Sequence, residues 1–208
     1  ATQITATSPA AVAGTVHISV TTPAGTSTTS AADQYTYGAA PTASSLTPIG
    51  GPITGGTSVT IAGTNFVTGA TTVTIGGNVI PAGSVTVNSA TSLTFATPAH
   101  AAGNVAVTVS TVGGTSAAVP GGYTYAAPPT ISNLSPNSGG TVGGTSVTIT
   151  GTNLAGASSV TFDGLAATIV TNTATQIVAN TPAHALGVVD VVVTTAGGTV
   201  TASGAFTY

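Results

Sequence analysis

The chain has 208 residues with no Lys, Arg, Cys or Trp, and its only acidic side chains are Asp33, Asp163 and Asp190. Nucleic-acid binding draws its affinity from cations that neutralise phosphates, so that class is excluded, and without Cys neither a disulfide framework nor a thiolate metal site can form. Although 41% of the residues are hydrophobic, Thr, Ser and Gly break every apolar run well short of the roughly 18 residues of a membrane helix.

In chain order, the opening "ATQITATSPA" has neither the basic nor the apolar region of a signal peptide, so none is expected in this stretch. Strands are expected around residues 4–6, 16–20 and 35–37, followed by a short joint, Gly38-Ala39-Ala40. From residue 41 the apolar residues alternate, as they do in strands with one buried face. Val59 and Ile61, Val73 and Ile75, Leu93 and Phe95, then Val105, Val107 and Val109, and finally Tyr123 and Tyr125 form the inward sets. After a second joint, Ala126-Ala127-Pro128, the same pattern returns. Its sets are Val147 and Ile149, Val160 and Phe162, Ile177 and Ala179, then Val189, Val191 and Val193, and Phe206 with Tyr208. Gly-Gly, Asn and Pro punctuate these sets in the manner of a small antiparallel sandwich, and no segment shows a helical period.

The pattern is a true repeat. "TPAHAAGNVAVTV" at 97–109 returns as "TPAHALGVVDVVV" at 181–193, with a blurred copy, "SPAAVAGTVHISV", at 8–20. Pro9, Pro98 and Pro182 mark one position, and Tyr37, Tyr125 and Tyr208 another. "PTASSLTPIGGPITGGTSVTIAGTNF" from Pro41 likewise matches "PTISNLSPNSGGTVGGTSVTITGTNL" from Pro129. These phrases, with the turn "FDG" and the closing "FTY", resemble the IPT/TIG family of immunoglobulin-like domains (immunoglobulin-like, plexin, transcription factor), in its tandem bacterial surface form. The resemblance implies all-β, tandem immunoglobulin-like β-sandwich domains in an extended array, with units at 41–125 and 129–208 and the C-terminal half of a third at 1–37. It also implies a spacer, adhesion or assembly module with no catalytic residues of its own. The cysteines of the receptor form and the basic loops of the transcription-factor form are missing here. Residues 1–37 hold too few apolar side chains to offset the entropy of ordering them, so something must complete that half. The simplest source is a longer array of which this chain is a window; strands donated by another copy, for which no surplus segment is seen, and packing on a different protein are the alternatives.

A search for chemistry among the side chains assigns no catalytic, cofactor-binding or metal residue. His100 and His184 share the "TPAHA" position, but one His per unit cannot supply the three or four convergent ligands of a zinc centre. His17 falls where Ala106 and Asp190 stand in the other copies, on the outward side, and is expected to be solvated. Asp33, Asp163 and Asp190 occupy different positions in their units and do not cluster as a calcium site requires. Asp163-Gly164, like its counterpart Gly76-Gly77, reads as a tight hairpin turn. The glycine-rich "GGTVGGTS" from Gly139 has no Lys and no following helix, so it is a loop between strands and not a phosphate cradle. The Tyr and Phe residues fall at alternating core positions, which leaves few exposed aromatics for a sugar face.

The resulting expectation is a non-enzymatic extracellular or cell-surface protein, of bacterial type, with a structural or adhesive role in a longer array or self-associating filament. The alternative is an accessory module, spacer or carbohydrate-binding, of a larger secreted enzyme or binding protein. No cofactor, nucleic-acid partner or membrane insertion is expected. Homotypic contacts and surface glycans are the expected partners, and Asn133 in "NLS" is the single N-linked acceptor match.

Overall fold

The computed structural model describes residues 2–208, and every regular element in it is a strand apart from two short 3-10 turns, Ala31–Asp33 and Ala82–Ser84. The chain divides into two compact units, 1–46 with 60–95 and 106–121 in one, and 47–59 with 96–105 and 122–208 in the other.

One sheet, most of whose residues fall in the first unit, runs in the order Val85–Ser89, Ser92–Ala96, Ser58–Thr64, Thr42–Thr47. A second sheet runs Gly114–Thr115, Val107–Thr111, Thr72–Ile75, Asn78–Ile80. The link from Thr72–Ile75 to Asn78–Ile80 is the expected two-residue hairpin, with Ile75 opposite Asn78 and Gly76 and Gly77 at φ 55° and 82°. Residues with positive φ match the twist of the flanking strands, which is why Gly stands there.

In the second unit, Gly103–Val105, Tyr123–Ala126 and Gly50–Pro52 form a small sheet whose last pair is parallel. Two four-stranded sheets follow: Thr130–Ser135, Ser146–Thr152, Gln176–Asn180, Thr168–Asn172, and Leu165–Ala166, Ser159–Phe162, Val188–Thr195, Gly198–Thr207. Between them lies one apolar core in which Val147, Ile149, Val160, Phe162, Val191 and Phe206 have no exposed surface. Asp163 and Gly164 make the hairpin turn at φ 48° and 79°, matching Gly76-Gly77. The inward residues named from the alternation are all buried, with one exception.

That exception is Val105, which is half-buried. The expected strand through Val105, Val107 and Val109 changes partners at Ala106: Val105 pairs with Tyr123, whereas Val107 pairs with Ile75. In the last repeat the same stretch stays a single strand, Val188–Thr195, with a bulge between Val189 and Val191. Asp190 sits in the bulge, and its carboxylate accepts the Gly204 N–H at 2.7 Å. At Ala106 the corresponding stretch is instead two separate strands, Gly103–Val105 and Val107–Thr111.

Residues 1–37 depart further from expectation. The strand expected around 4–6 does not form, and 18–20 is not a strand either; only Gly14–His17 with Gln34–Tyr37 and Thr21–Thr22 with Gly25–Thr26 pair. The reason lies in the pairing of the complete copies. Ser92–Ala96, the counterpart of residues 3–7, is held between Val85–Ser89 and Ser58–Thr64, and Val107–Thr111, the counterpart of 18–22, is held by Thr72–Ile75. No such neighbours are paired with the first half unit, and a strand with unpaired amides gains nothing over a solvated coil.

Candidate functional site

Each repeat closes on a tyrosine that is capped by the repeated histidine. The His100 ring stacks on Tyr125 with centroids 5.0 Å apart, and the His184 ring on Tyr208 at 4.9 Å. Their Nδ1 atoms donate to the carbonyls of Ala101 and Ala185 at 2.8 and 2.7 Å, since a carbonyl can only accept. The backbone of the same phrase is tied to the glycine-rich loops: the His100 and His184 N–H groups donate to Ile53 and Thr141 oxygens, and Gly56 and Gly144 donate to Thr97 and Thr181 oxygens. "GGTVGGTS" and "TPAHA" are therefore two halves of one clasp, which explains why both recur together.

The carboxylates are dispersed. Asp163, in its hairpin turn, lies with Oδ2 3.3 Å from His184 Nε2. Asp33 is paired with Nδ1 of His17 and also accepts the Ser30 N–H at 2.6 Å, while Ser30 Oγ accepts from Ala32, making a capping box for the Ala31–Asp33 turn. His17 is thus exposed, as expected, but not free. Its bond to Asp33, helped by the Ser30 amide, holds that carboxyl below the usual aspartate range against a smaller opposing effect of desolvation. The pair was hidden in the sequence because its members lie 16 residues apart and meet only through the Gly14–His17 and Gln34–Tyr37 pairing. Among the described residues no group of three or more His, Cys, Asp or Glu could hold a metal ion.

What does stand open is apolar. Ile4, Ile18, Val20 and Tyr35 are 39–71% exposed, whereas their counterparts Leu93, Val107, Val109 and Tyr123 have no exposed surface. Ala6, Pro9, Val16, Ile18, Tyr35 and Tyr37 line a groove on this face, with Ser8 Oγ and Tyr35 Oη 3.5 Å apart across it. It is an exposed apolar face, with side chains in a row, beside which the Ile18 and Val20 amides donate to the Asp33 carbonyl and Ser27 Oγ.

The model of the IPT/TIG domain family matches residues 41–126 and again 129–208. No curated protein matches the chain. Among solved structures, the plexin A4 full extracellular region (domains 1 to 10) is 24% identical with a TM-score of 0.52, over 81% of this chain and 15% of that one. SGBP-B from a complex xyloglucan utilization locus in Bacteroides uniformis is 22% identical over 80% of this chain and 49% of that one, with a TM-score of 0.38. The S-layer protein SbsC, domains 5-6, is 14% identical over 78% of this chain and 97% of that one, with a TM-score of 0.24. The chain spans under a fifth of the two plexin extracellular regions it resembles. Among the described residues no helix is long and apolar enough to cross a membrane. With two tandem matches over most of its length and an all-β fold of immunoglobulin-like sheets, the chain belongs to the IPT/TIG domain family.

Proposed function

We propose that the protein is a non-enzymatic structural or adhesive component of an extracellular or cell-surface array, built of a half unit at 1–37 and units at 41–125 and 129–208, and that copies associate with one another. No residue has a catalytic, cofactor-binding or metal-binding role in this reading. The observation that carries it is the state of the sheet edges. Gly198–Thr207 is a ten-residue strand at the edge of its sheet without a single charged residue, and Thr207 at its end pairs outward with Asn137 and Gly139. The opposite sheet's edge strands, Thr130–Ser135 and Thr168–Asn172, are equally uncharged. Soluble sandwiches ordinarily guard such edges with Lys or other charges, because unpaired N–H and C=O groups template pairing with another chain. With a formal net charge of -3 over the whole chain, little repulsion holds copies apart.

Association driven by apolar burial and backbone pairing, and not by ion pairs, persists or strengthens as salt rises. Light scattering of the purified chain from low to molar salt tests this. Growth in mass with concentration that survives high salt supports the reading, and a monodisperse monomer at every salt and concentration refutes it.

A further inference from the structure

We propose that the open face of residues 2–37 is the receiving half of an IPT/TIG sandwich, closed by the front half of such a unit lying ahead of it in the same polypeptide. The proposal rests on the array reading above. The internal copies state what the occupant is. "ATQITATSPA" at 1–10 aligns without a gap to "ATSLTFATPA" at 90–99 and "ATQIVANTPA" at 174–183, so Ile4 takes the place of Leu93 and Ile177. In both complete copies this segment is a strand, Ser92–Ala96 or Gln176–Asn180, flanked by Ser58–Thr64 and Val85–Ser89 or by Ser146–Thr152 and Thr168–Asn172. The strand that follows it is paired in turn by Thr72–Ile75 or Ser159–Phe162. The face therefore presents vacant pairing positions along 3–7 and at Ser19, since Ile18 and Val20 already donate to the Asp33 carbonyl and Ser27 Oγ, and between them the exposed Ile4, Val16, Ile18 and Tyr35. An occupant must bring uncharged strands with alternating Val and Ile, in the pattern of "GGTSVTIAGTN" and "TTVTIGG".

A second copy is a poor donor. Its own Val59, Ile61, Val73 and Ile75 have no exposed surface and would have to leave their core to reach this face. A segment continuous with residue 1 meets no such cost, because it has no other sandwich to leave.

The test extends the full chain at its N-terminus. Residues 41–89 are joined directly to Ala1, since Ala1 aligns with Ala90; in a second version residues 129–173 are joined there, since Ala1 also aligns with Ala174. Hydrogen exchange is followed at residues 3–7 and at Ser19, with dye binding to exposed apolar surface as a second readout. The expected result is a slowing of exchange at those amides by on the order of 100-fold in at least one extended chain, with loss of dye binding and no change in oligomeric state. Ile18→Asp, placed on a side chain exposed in the present chain, should leave that chain folded and abolish the protection in the extended ones. Exchange that stays fast in both extended chains overturns the proposal. So does protection of the same amides in the unextended chain that grows with concentration, which would make a second copy the occupant. Neither result alters the salt dependence of edge association, so failure here is separable from failure of the array reading.

Discussion

Asn153 adopts φ 55°, a left-handed conformation that costs most side chains about 1–2 kcal/mol, and Asn65 repeats it at φ 60°. Each carboxamide donates to a carbonyl of the preceding joint, Pro128 at 2.9 Å and Ala40 at 2.8 Å. The Gly two residues earlier is equally constrained, since a Cβ on Gly151 or Gly63 would overlap the carbonyl oxygen of Thr130 or Thr42. "GTN" is thus a unit that lets the entering strand lie close and ties its joint down. Asn153→Gly keeps the backbone comfortable and loses only the hydrogen bond, about 1 kcal/mol; Asn153→Ala loses the bond and adds the left-handed penalty, about 2–3 kcal/mol in all. Urea denaturation should rank wild type, Gly and Ala in that order, and Ala equal to Gly would contradict the strain argument. A second residue-scale case is Tyr123, whose buried hydroxyl has no hydrogen-bond partner and whose counterpart is Phe206. An unsatisfied buried donor costs about 1–3 kcal/mol, so Tyr123→Phe should raise the melting temperature; a fall would show that the hydroxyl is satisfied after all.

The elements were legible wherever alternation and turn chemistry agreed. Val73 and Ile75, Gly76-Gly77, Asp163-Gly164 and the closing tyrosines follow directly from period-two burial and from the need for positive φ in two-residue turns. Two things were not legible. The fate of residues 4–6 depended on partners that a propensity argument takes for granted, because a strand exists only with its neighbours. The other was whether the stretch 105–109 or 189–193 stays one strand, a difference that the shared alternation of its apolar residues does not show. Asp190, placed by the alternation only on a strand's outward side, accepts the Gly204 N–H at the bulge, whereas the stretch through Ala106 is two strands. Asp190→Ala should therefore cost about 0.5–1.5 kcal/mol and speed exchange of the Gly204 amide, while leaving the amides of Ser146–Thr152 unchanged. Uniform acceleration across both sheets would mean that Asp190 supports the whole core and not the bulge alone. The clasp between "TPAHA" and the glycine-rich loop was visible as repetition, but only the fold shows that each phrase is the other's partner.

At the scale of the whole molecule, the lack of Lys, Arg and Cys leaves its five tyrosines as the side chains that can titrate at strongly alkaline pH. Burial pushes the Tyr125 and Tyr208 phenols above the ordinary tyrosine value, with Tyr123 nearby adding to the effect on Tyr125. A folded-state value above the unfolded one means that the unfolded chain releases its protons first as pH rises. The stability these phenols contribute is fully present below about pH 10 and is lost as pH climbs through their raised folded values. On the acid side the sign reverses. Asp33, held low chiefly by His17, contributes stability above the ordinary aspartate value that is lost as pH falls through its folded value, and its exposure keeps that contribution small. The midpoint of urea unfolding should therefore stay nearly level from about pH 5 to 9 and decline beyond about 10. Tyr208→Phe removes one of the two responsible phenols along with its 3.0 Å hydrogen bond to the Pro182 oxygen. It should lower stability at neutral pH by about 1 kcal/mol yet make the alkaline decline shallower. Phenolate absorbance recorded on the folded protein gives the independent check: part of the signal should lag behind the ordinary tyrosine titration and appear together with unfolding. A single step at the ordinary value, with the fold intact, would show that the two closing tyrosines are open to solvent and that the clasp over them does not hold.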